Sequence, residues 1–203
     1  YIIEHFERAA ADPRDDLLGD LVRAVASGDV DAQVTQFMLV TLFSAGGEST
    51  ASLLGSAASI LADRPDIAQQ LREHPDLLDR FIEETLRYEP PFRGHYRHVR
   101  ADTTLCGSAV AADSHLLVLW GAVNRDPARF EAPHEFRLDR PHSKGHLSFG
   151  KGAHFCVGAA LARMEARVVL RKLLDSTSHI EAIDTGPWLP SVLVRRRERL
   201  QLA

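Results

Sequence analysis

Apolar and polar residues follow one another along this chain in patterns that mostly predict helices. Segments 1–11, 17–27, 65–73 and 75–89 each repeat apolar residues every three or four positions, which is typical of helices with one buried face. Segment 31–63 differs because it is apolar around nearly its whole circumference, as expected of a helix buried at the centre of a domain. A helix of that length would extend over roughly 45–50 Å.

After residue 91 the pattern changes to short extended runs. Alternating residues around 103–105, 109–111 and 115–119 are typical of strands joined by turns. The segment 191–197, SVLVRRR, is also strand-like. Together these patterns predict a mainly helical α+β fold with small β-sheets.

The composition argues against nucleic-acid-binding and disulfide-rich proteins. With 203 residues, 45% of them hydrophobic, and a net charge of -4, the chain has no charge pattern that suggests nucleic-acid binding. Two cysteines are too few for a disulfide framework, which favours a reducing compartment. We find no uninterrupted apolar run of about eighteen residues and no signal peptide at the start. The sequence therefore predicts a cytoplasmic chain without membrane or nucleic-acid partners.

The clearest chemical signal is the stretch FGKGAHFCVG at residues 149–158, which contains Cys156. Apolar residues at helical spacing follow it, so Cys156 should lie where a glycine-rich loop becomes a helix. The amide groups and the dipole of a helix N-terminus favour a negative sulfur, which suits an axial metal ligand. The alternatives are a small buried hydrophobic cysteine or a zinc or iron–sulfur site, but the latter needs several nearby ligands.

The pattern F-G-x-G-x-H-x-C-x-G resembles the haem-binding loop of the cytochrome P450 family, in which the cysteine thiolate ligates the iron. Six such fixed positions should occur together by chance on the order of once in a million chains of this size. The resemblance implies a b-type haem ligated by Cys156. Other residues of the loop that it places near the haem are Phe149, Gly150, His154 and Gly158. His154 and His146 are candidates to contact the propionates or to support the loop.

In the middle of the long apolar segment lies AGGEST, residues 45–50. Adjacent glycines weaken a helix by about 1 kcal/mol each, so they either allow close packing or serve a function. The stretch resembles the distal helix of the same family, A-G-x-(Asp/Glu)-Thr. The resemblance places Ala45 beside the haem and implies proton delivery by Glu48 and Ser49, with Thr50 as a second hydroxyl. Serine stands here where threonine is more usual.

Glu84 and Arg87, in EETLRYEPP, lie three residues apart on one helix face and can form an ion pair. An exposed pair would contribute little to stability. In the family that this motif resembles, the pair is buried and supports the haem loop. The resemblance implies a third member from the later irregular segment. Glu135 stands where an arginine is often found, so Arg140 is the candidate, with Arg137 as the alternative.

Arg97 followed by Asp102 resembles the family strand whose arginine binds a haem propionate, a chemically suitable contact for a guanidinium. The resemblance also suggests side chains that face the substrate. These are Thr41, Ala45, Phe92, Arg93 and Trp188.

The resemblance extends from about Asp31 to the C-terminus, but members of the family are about twice as long. The chain therefore resembles the C-terminal half of the fold, one haem-binding portion spanning residues 1–203, without the N-terminal half. Its expected parts are leading helices (1–30), the distal helix (31–63), helices with the ion pair (64–89), strands and meander (90–145), the cysteine loop with its helix (146–175) and C-terminal strands (176–203). A fragment, one half of a longer protein, and a truncated form are all left open.

The implied function is a monooxygenase that uses O2 and two electrons to oxidise a small organic substrate. The sequence has no flavin or iron–sulfur motif, so we expect electrons from NAD(P)H through a reductase and a ferredoxin or flavodoxin. Positively charged residues around the loop are expected to dock this partner. They are Lys151, Arg163, Arg167 and Arg171. The alternatives are a non-catalytic haem-fold module that activates or scaffolds a partner, and a remnant without stable haem.

Overall fold

Helices and three small antiparallel sheets make up the computed structural model, which describes residues 1–141 and 143–203. This confirms the predicted mainly helical α+β fold. The chain divides into two units, Tyr1–Glu48 and Ser49–Ala203, which are described separately.

The first unit contains α1 (Ile2–Ala11), α2 (Leu17–Ala26) and the first half of α3 (Ala32–Asp63). Aspartates begin two of these helices. The side chains of Asp16 and Asp31 accept hydrogen bonds of 2.8–3.0 Å from backbone amides in the first turns of α2 and α3. Such caps satisfy amide groups that have no partner inside the helix.

Burial along α3 differs from the prediction. In the first half, Phe37 and Phe43 are 72% and 65% exposed, whereas Leu53 and Leu61 in the second half are 2% and 0% exposed. The prediction of a helix buried along its whole length is therefore wrong for the first half. The physical reason is that the first unit offers only two short helices, α1 and α2, to cover it.

One helix in the described part of the chain, α3, is long and apolar enough to cross a membrane when judged by length and composition. This criterion uses the mean hydropathy of a window, so α3 meets it although polar residues such as Gln36 and Glu48 interrupt its apolar run. The central helix of a globular domain meets the same criterion, because both are apolar on all sides. Length and composition alone do not distinguish the two.

The second unit is built around α5 (Leu78–Tyr88) and α7 (Ala159–Ser176), together with the second half of α3. Residues 81–87 of α5 are all buried, so this helix is covered on every side. α5 packs against α7, which also contacts α4 (Pro65–Glu73), and side chains of α3, α4, α5 and α7 share one buried hydrophobic cluster. A short helix, α6 (Trp120–Val123), precedes the irregular segment that leads to the cysteine loop.

Three two-stranded antiparallel sheets complete the second unit. The pairs are β1 (His95–His98) with β4 (His115–Val118), β2 (Thr103–Leu105) with β3 (Ser108–Val110), and β5 (Ala182–Thr185) with β6 (Leu200–Leu202). Cys106 and Gly107 join β2 to β3 with φ angles of 47° and 82°, as a tight two-residue hairpin turn requires.

Segment 191–197 is not the regular strand that the sequence predicts. It makes isolated bridges to two different parts of the chain, Phe92 with Val194 and Trp188 with Arg197. A regular ladder needs one continuous partner. Here the backbone partner changes within a few residues, so the segment connects two regions instead of extending a sheet.

A buried carboxylate ties α5 to α7. Glu83 is 3% exposed and accepts hydrogen bonds from Arg163 Nε at 2.5 Å and His146 Nε2 at 3.0 Å. The backbone amide of Ser148 donates to His146 Nδ1 at 3.2 Å, so the proton of this imidazole lies on Nε2. Burial raises the pKa of Glu83, but hydrogen bonds from His146 and Arg163 outweigh it and lower the pKa to about 2.

Glu83→Gln should flatten the acid dependence of stability. Because the pKa of Glu83 falls from 4.5 to about 2 on folding, its carboxylate stabilises the folded state above pH 4.5. That contribution is lost as the pH falls from 4.5 towards about 2. We expect the free energy of unfolding, measured by urea titration, to fall more steeply across this window in wild type than in Glu83→Gln. The exposed Glu198→Gln serves as control and should keep the wild-type slope. Equal slopes in wild type and Glu83→Gln would contradict the assigned ionisation.

Candidate functional site

Cys156 lies in a loop that is closed by backbone hydrogen bonds. Its amide donates to the carbonyl of Phe149 at 2.9 Å, and the amide of Phe155 donates to Gly152 at 3.0 Å. Gly150 and Gly152 have φ angles of +70° and +76°, a conformation that residues with a Cβ rarely adopt. The backbone is therefore fixed on the N-terminal side of the thiol.

On the other side of the thiol, α7 begins almost at once. Gly158 is the N-cap residue, and its carbonyl accepts the amide of Ala162 at 2.8 Å. A Cβ on Gly158 would lie 3.9 Å from Sγ of Cys156, an ordinary van der Waals distance, so this glycine lies directly beside the sulfur. The half-buried thiol thus lies next to a helix N-terminus, where a negative charge is favoured.

Phe149 anchors the loop to the cluster around Glu83. The guanidinium of Arg163 lies 4.5 Å from the centroid of the Phe149 ring. The rings of His146 and Phe155 lie 6.0 and 6.4 Å from it. Because Arg163 and His146 also bind Glu83, the loop is connected to α5 as well as to α7.

A second buried cluster of charged side chains surrounds Glu84, the next residue of α5. Both carboxylate oxygens of Glu84 accept hydrogen bonds from Arg87 at 2.7 Å and from Nε of Arg140 at 3.1 Å. These three side chains are at most 3% exposed. Arg137 contributes its backbone amide to Glu84 at 3.0 Å, while its guanidinium binds Asp139. The second guanidinium of the cluster is therefore that of Arg140.

Arg87 uses all five of its N–H donors. Two donate to Glu84, and the other three donate to backbone carbonyls at 2.8–3.0 Å. These carbonyls belong to Asn124, Pro133 and Glu135. A buried cluster of two guanidiniums and one carboxylate carries a net positive charge, and carbonyl oxygens around both guanidiniums offset it.

Asn124 connects this cluster to the cysteine loop. It is fully buried, and its carbonyl accepts from Arg87 while its side chain reaches the segment before the loop. Nδ2 donates to Oγ of Ser148 and Oδ1 accepts from the amide of Leu147, both at 2.8 Å. Sequence reasoning missed this link. The partners of Asn124 lie 23–37 residues away, and the local pattern offers only an asparagine before an Arg-Asp-Pro turn.

The AGGEST stretch is divided between the two units. Ala45 and Glu48 belong to the first unit, and Ser49 and Thr50 belong to the second. The helix continues without interruption through all of these residues. Oγ1 of Thr50 donates to Oε2 of Glu165 on α7 at 3.2 Å. The Thr50 hydroxyl therefore joins α3 to α7, a contact that sequence reasoning missed because Glu165 is 115 residues away.

Two of the residues expected to bind the haem propionates, Arg97 and His154, are exposed hydrogen-bond donors. Arg97 on β1 hydrogen-bonds the carbonyl of Tyr96 at 2.9 Å, and no carboxylate within the described residues pairs with it. His154 is exposed at the end of a short 3-10 turn. His146, the other candidate, is 7% exposed and bound to Glu83, so it supports the loop instead. Arg97 and His154 are thus the accessible donors of this set.

A histidine near Arg97, His95, was not among the residues predicted from the sequence. His95 lies on β1 two residues before Arg97, so the two side chains share a face of the strand. Nε1 of Trp120 donates to Nδ1 of His95 at 2.7 Å, which requires an unprotonated Nδ1. Burial, and then the charge of Arg97, lower the pKa of His95, which agrees with a neutral ring.

The positively charged residues expected around the loop are largely neutralised. Arg163, Arg167 and Arg171 each form an ion pair at 2.5–2.7 Å, whereas Lys151 is exposed. Their partners are Glu83, Asp79 and Asp175. Folding brings acidic residues of α5 and of the end of α7 opposite these arginines, so three of the four charges are paired, and their role in docking a redox partner stays a prediction.

The residues expected to face substrate lie in surroundings that differ from one residue to the next. The guanidiniums of Arg195 and Arg197 lie 3.4 and 4.3 Å from the centroid of the Trp188 ring. Trp188 is therefore a stacking partner for two arginines, and its contact with substrate stays a prediction. Phe92 is half-buried, with its ring 5.1 Å from that of His95.

Arg93 and Thr41 are both exposed. Arg93 is fixed through its backbone, because its amide donates to the carbonyl of Leu193 at 2.6 Å. Thr41 lies on α3 in the first unit, and its hydroxyl donates to the carbonyl of Phe37 at 2.8 Å.

The donor set fits a haem. In the described residues no group of three or more His, Cys, Asp or Glu side chains could hold a bare metal ion. A haem iron carries four nitrogen ligands of its own and needs from the protein an axial ligand, for which the Cys156 thiol is suitable. The exposed donors Arg97 and His154 suit its two carboxylates.

Comparisons with known proteins agree with this geometry. The family model for cytochrome P450 matches residues 2–191. Cytochrome P450 144 of Mycobacterium tuberculosis is 73% identical over 203 residues, which are 100% of this chain and 47% of that protein. Beta-dihydromenaquinone-9 omega-hydroxylase of Mycobacterium bovis is 37% identical over 187 residues, 92% of this chain and 38% of that protein.

The fold has relatives among solved structures as well. Cytochrome P450 CYP109Q5 from Chondromyces apiculatus superposes with a TM-score of 0.92 at 36% identity, covering 100% of this chain and 53% of that structure. The chain spans about half the length of the curated relatives it matches. From its motifs, its fold and these matches, the chain belongs to the cytochrome P450 family.

Proposed function

We propose that this chain forms the haem-holding part of a haem-thiolate monooxygenase, in which the thiolate of Cys156 would hold the iron. The observation that carries the proposal is the closed loop that presents the Cys156 sulfur beside the N-terminus of α7. Asn124 connects that loop to the buried Glu84–Arg87 cluster, so the position of the sulfur is supported by the core.

When bound, the haem supplies the activation of O2, so that one oxygen atom enters an organic substrate and the other leaves as water. The residues of this chain bind and orient that group. Cys156 ligates the iron as a thiolate, and the hydrogen bonds of its loop hold the sulfur in place. Arg97 and His154 bind the carboxylates of the haem through charge-assisted hydrogen bonds.

Ser49 and Glu48 would hold and deliver the protons that the O2 chemistry of the haem requires. The hydroxyl of Ser49 can both donate and accept a hydrogen bond, and the adjacent carboxylate of Glu48 can exchange a proton with solvent. Thr50, the second hydroxyl of the motif, donates to Glu165 on α7. The relay is assigned to Ser49 because Ser49 takes the alcohol position of the family motif.

Electrons come from NAD(P)H through a reductase and a ferredoxin or flavodoxin, and the substrate is a small organic molecule. The support is the family, since one relative is named a hydroxylase of a menaquinone derivative. The alternative, a module that only activates or scaffolds a partner, does not require a thiol in a closed loop at a helix N-terminus. The geometry around Cys156 therefore favours the enzyme.

Because the chain spans about half the length of its relatives, we design the experiments on a polypeptide of family length. This chain is 73% identical to the Mycobacterium tuberculosis relative. In the polypeptide, the amino-terminal part of that relative is joined to Tyr1 of this chain. We call this polypeptide the family-length protein. Spectra of the chain alone, recorded in parallel, report how much haem it binds by itself.

The first test concerns the iron ligand. We expect the reduced family-length protein with carbon monoxide to show the long-wavelength Soret band that is typical of thiolate ligation. Cys156→Ser should lose this band, because an alcohol is not a thiolate donor. Cys106→Ser removes the other cysteine, at an exposed hairpin turn, and should keep the band. A histidine-like spectrum in wild type, or an unchanged band in Cys156→Ser, would overturn the proposal.

The second test concerns proton delivery. Ser49→Ala should still bind haem and consume NAD(P)H, but it should release more hydrogen peroxide and less product per electron, because the hydroxyl that orients the proton donor is gone. Ser49→Thr should couple at least as well as wild type, since threonine keeps the hydroxyl and restricts its rotation. Thr50→Val is the control, since its hydroxyl is bound to Glu165. Equal coupling in wild type and Ser49→Ala would show that Ser49 only packs.

A further inference from the structure

We propose that Glu89 and Arg195 form a clamp that positions a wall of the substrate site. The clamp is this ion pair, and the wall consists of segments 91–93 and 192–194, which the pair holds together. Glu89 and Arg195 are positioning residues, since they act through the wall and not on substrate. The inference rests on the proposed function and deepens it by naming what sets the shape of the site.

The ion pair has the geometry of a fixed contact. Nε of Arg195 donates to Oε2 of Glu89 at 2.6 Å, and Nη2 donates to Oε1 at 3.4 Å. Both side chains are about four-fifths buried, with 22% and 17% exposed. The Arg195 guanidinium also stacks on Trp188 at 3.4 Å from the ring centroid. A planar guanidinium that is paired on its edge and stacked on its face has little freedom to move.

A second arginine strengthens the acidic side of the clamp. Nη2 of Arg125 lies 3.6 Å from Oε1 of Glu89 and donates to the carbonyl of Tyr88 at 2.7 Å. Its guanidinium lies 4.4 Å from the centroid of the Tyr88 ring. Glu89 is therefore held at the end of α5 by one arginine while it holds another from the C-terminal tail.

The clamp joins two segments that are distant in sequence. The amide of Arg195 donates to the carbonyl of Pro91 at 2.8 Å, and the amide of Arg93 donates to Leu193 at 2.6 Å. Phe92 and Val194 face each other between these two bonds as an isolated bridge. Two backbone hydrogen bonds around one bridge form only a short pairing between the two segments. The neighbouring Glu89–Arg195 ion pair therefore contributes much of what holds them together.

The joined segments lie along the face of α3 that carries Ser49. The hydroxyl of Ser52 donates to the carbonyl of Arg195. Ser49 and Ser52 are three residues apart on α3, and residues at that spacing share a helix face. A wall attached at Ser52 therefore borders the space in front of Ser49, where the proposed reaction takes place.

The chemistry of the wall suits an apolar substrate. Phe92 and Leu193 are half-buried, and Val192 is 64% exposed. A shift of these apolar side chains by about 1 Å would change how a bulky molecule packs, and misplacements of that size can alter rates by about a hundredfold. Such a shift would leave the hydrogen bonds of the Cys156 loop intact, so we expect a small iron ligand to be little affected.

Two iron-binding probes of different size test the clamp. We would titrate the ferric family-length protein with imidazole and with 4-phenylimidazole, which bind iron through the same ring but differ by one bulky phenyl group. In Glu89→Gln, which keeps the shape of the side chain, and in Arg195→Met, we expect affinity for 4-phenylimidazole to fall about tenfold and affinity for imidazole to change less than about twofold. Arg195→Lys keeps the charge but not the planar fork, and should give an intermediate loss.

The control is Arg199→Met. It breaks another ion pair of the same tail, Arg199 with Asp184, which is exposed and lies beside the β5–β6 sheet. It should leave both affinities unchanged. Unchanged 4-phenylimidazole binding in Glu89→Gln and Arg195→Met, or an equal loss for both probes, would overturn the positioning role. If wild type lacked the thiolate spectrum, the proposed function and the clamp would fall together. Failure of the clamp alone leaves that spectrum and imidazole binding intact.

Discussion

The guanidinium of Arg87 is the group on which the arrangement of the second unit depends. It is fully buried, and each of its five donors has an acceptor. Removing one partner of such a cluster leaves an uncompensated buried charge, which costs roughly 3–5 kcal/mol. Since the acceptors come from α5, from Asn124 and from the irregular segment at residues 133–135, the cluster fixes these three parts relative to one another.

Two consecutive glutamates on α5, Glu83 and Glu84, bind different sets of partners. Side chains of adjacent residues on a helix point about 100° apart. Glu83 therefore reaches Arg163 on α7 and His146, while Glu84 reaches Arg87 and Arg140. This arrangement requires a helix that is covered on all sides, and α5 is buried over residues 81–87. The cysteine loop is supported from both clusters, through Phe149 and through Asn124.

How much could be predicted from the sequence depends on how far apart the interacting residues are. Helices such as Leu17–Ala26 and Pro65–Glu73 were predictable, because periodicity, caps and prolines act within a few positions. The cysteine loop was recognisable because glycine spacing and the following helix are also local.

Features that depend on distant partners were not predictable. Arg163 and Arg167 are paired in the fold with Glu83 and Asp79, which lie 80 and 88 residues away in sequence. Segment 191–197 has the alternation of a strand, yet its backbone partners are divided between two regions. Burial along α3 could not be read from its composition either, because burial depends on what else is present to cover a helix.

The most direct measurement of the central claim, that the buried Arg87 cluster holds Cys156 in place, is the carbon monoxide spectrum of Asn124→Ala in the family-length protein. This change removes the two side-chain hydrogen bonds to Leu147 and Ser148 and leaves the carbonyl that binds Arg87. We predict a folded protein in which a smaller fraction of the haem shows thiolate ligation, because the link from the cluster to the loop is lost. The exposed control Arg167→Gln should behave as wild type. A full thiolate band in Asn124→Ala would contradict the claim.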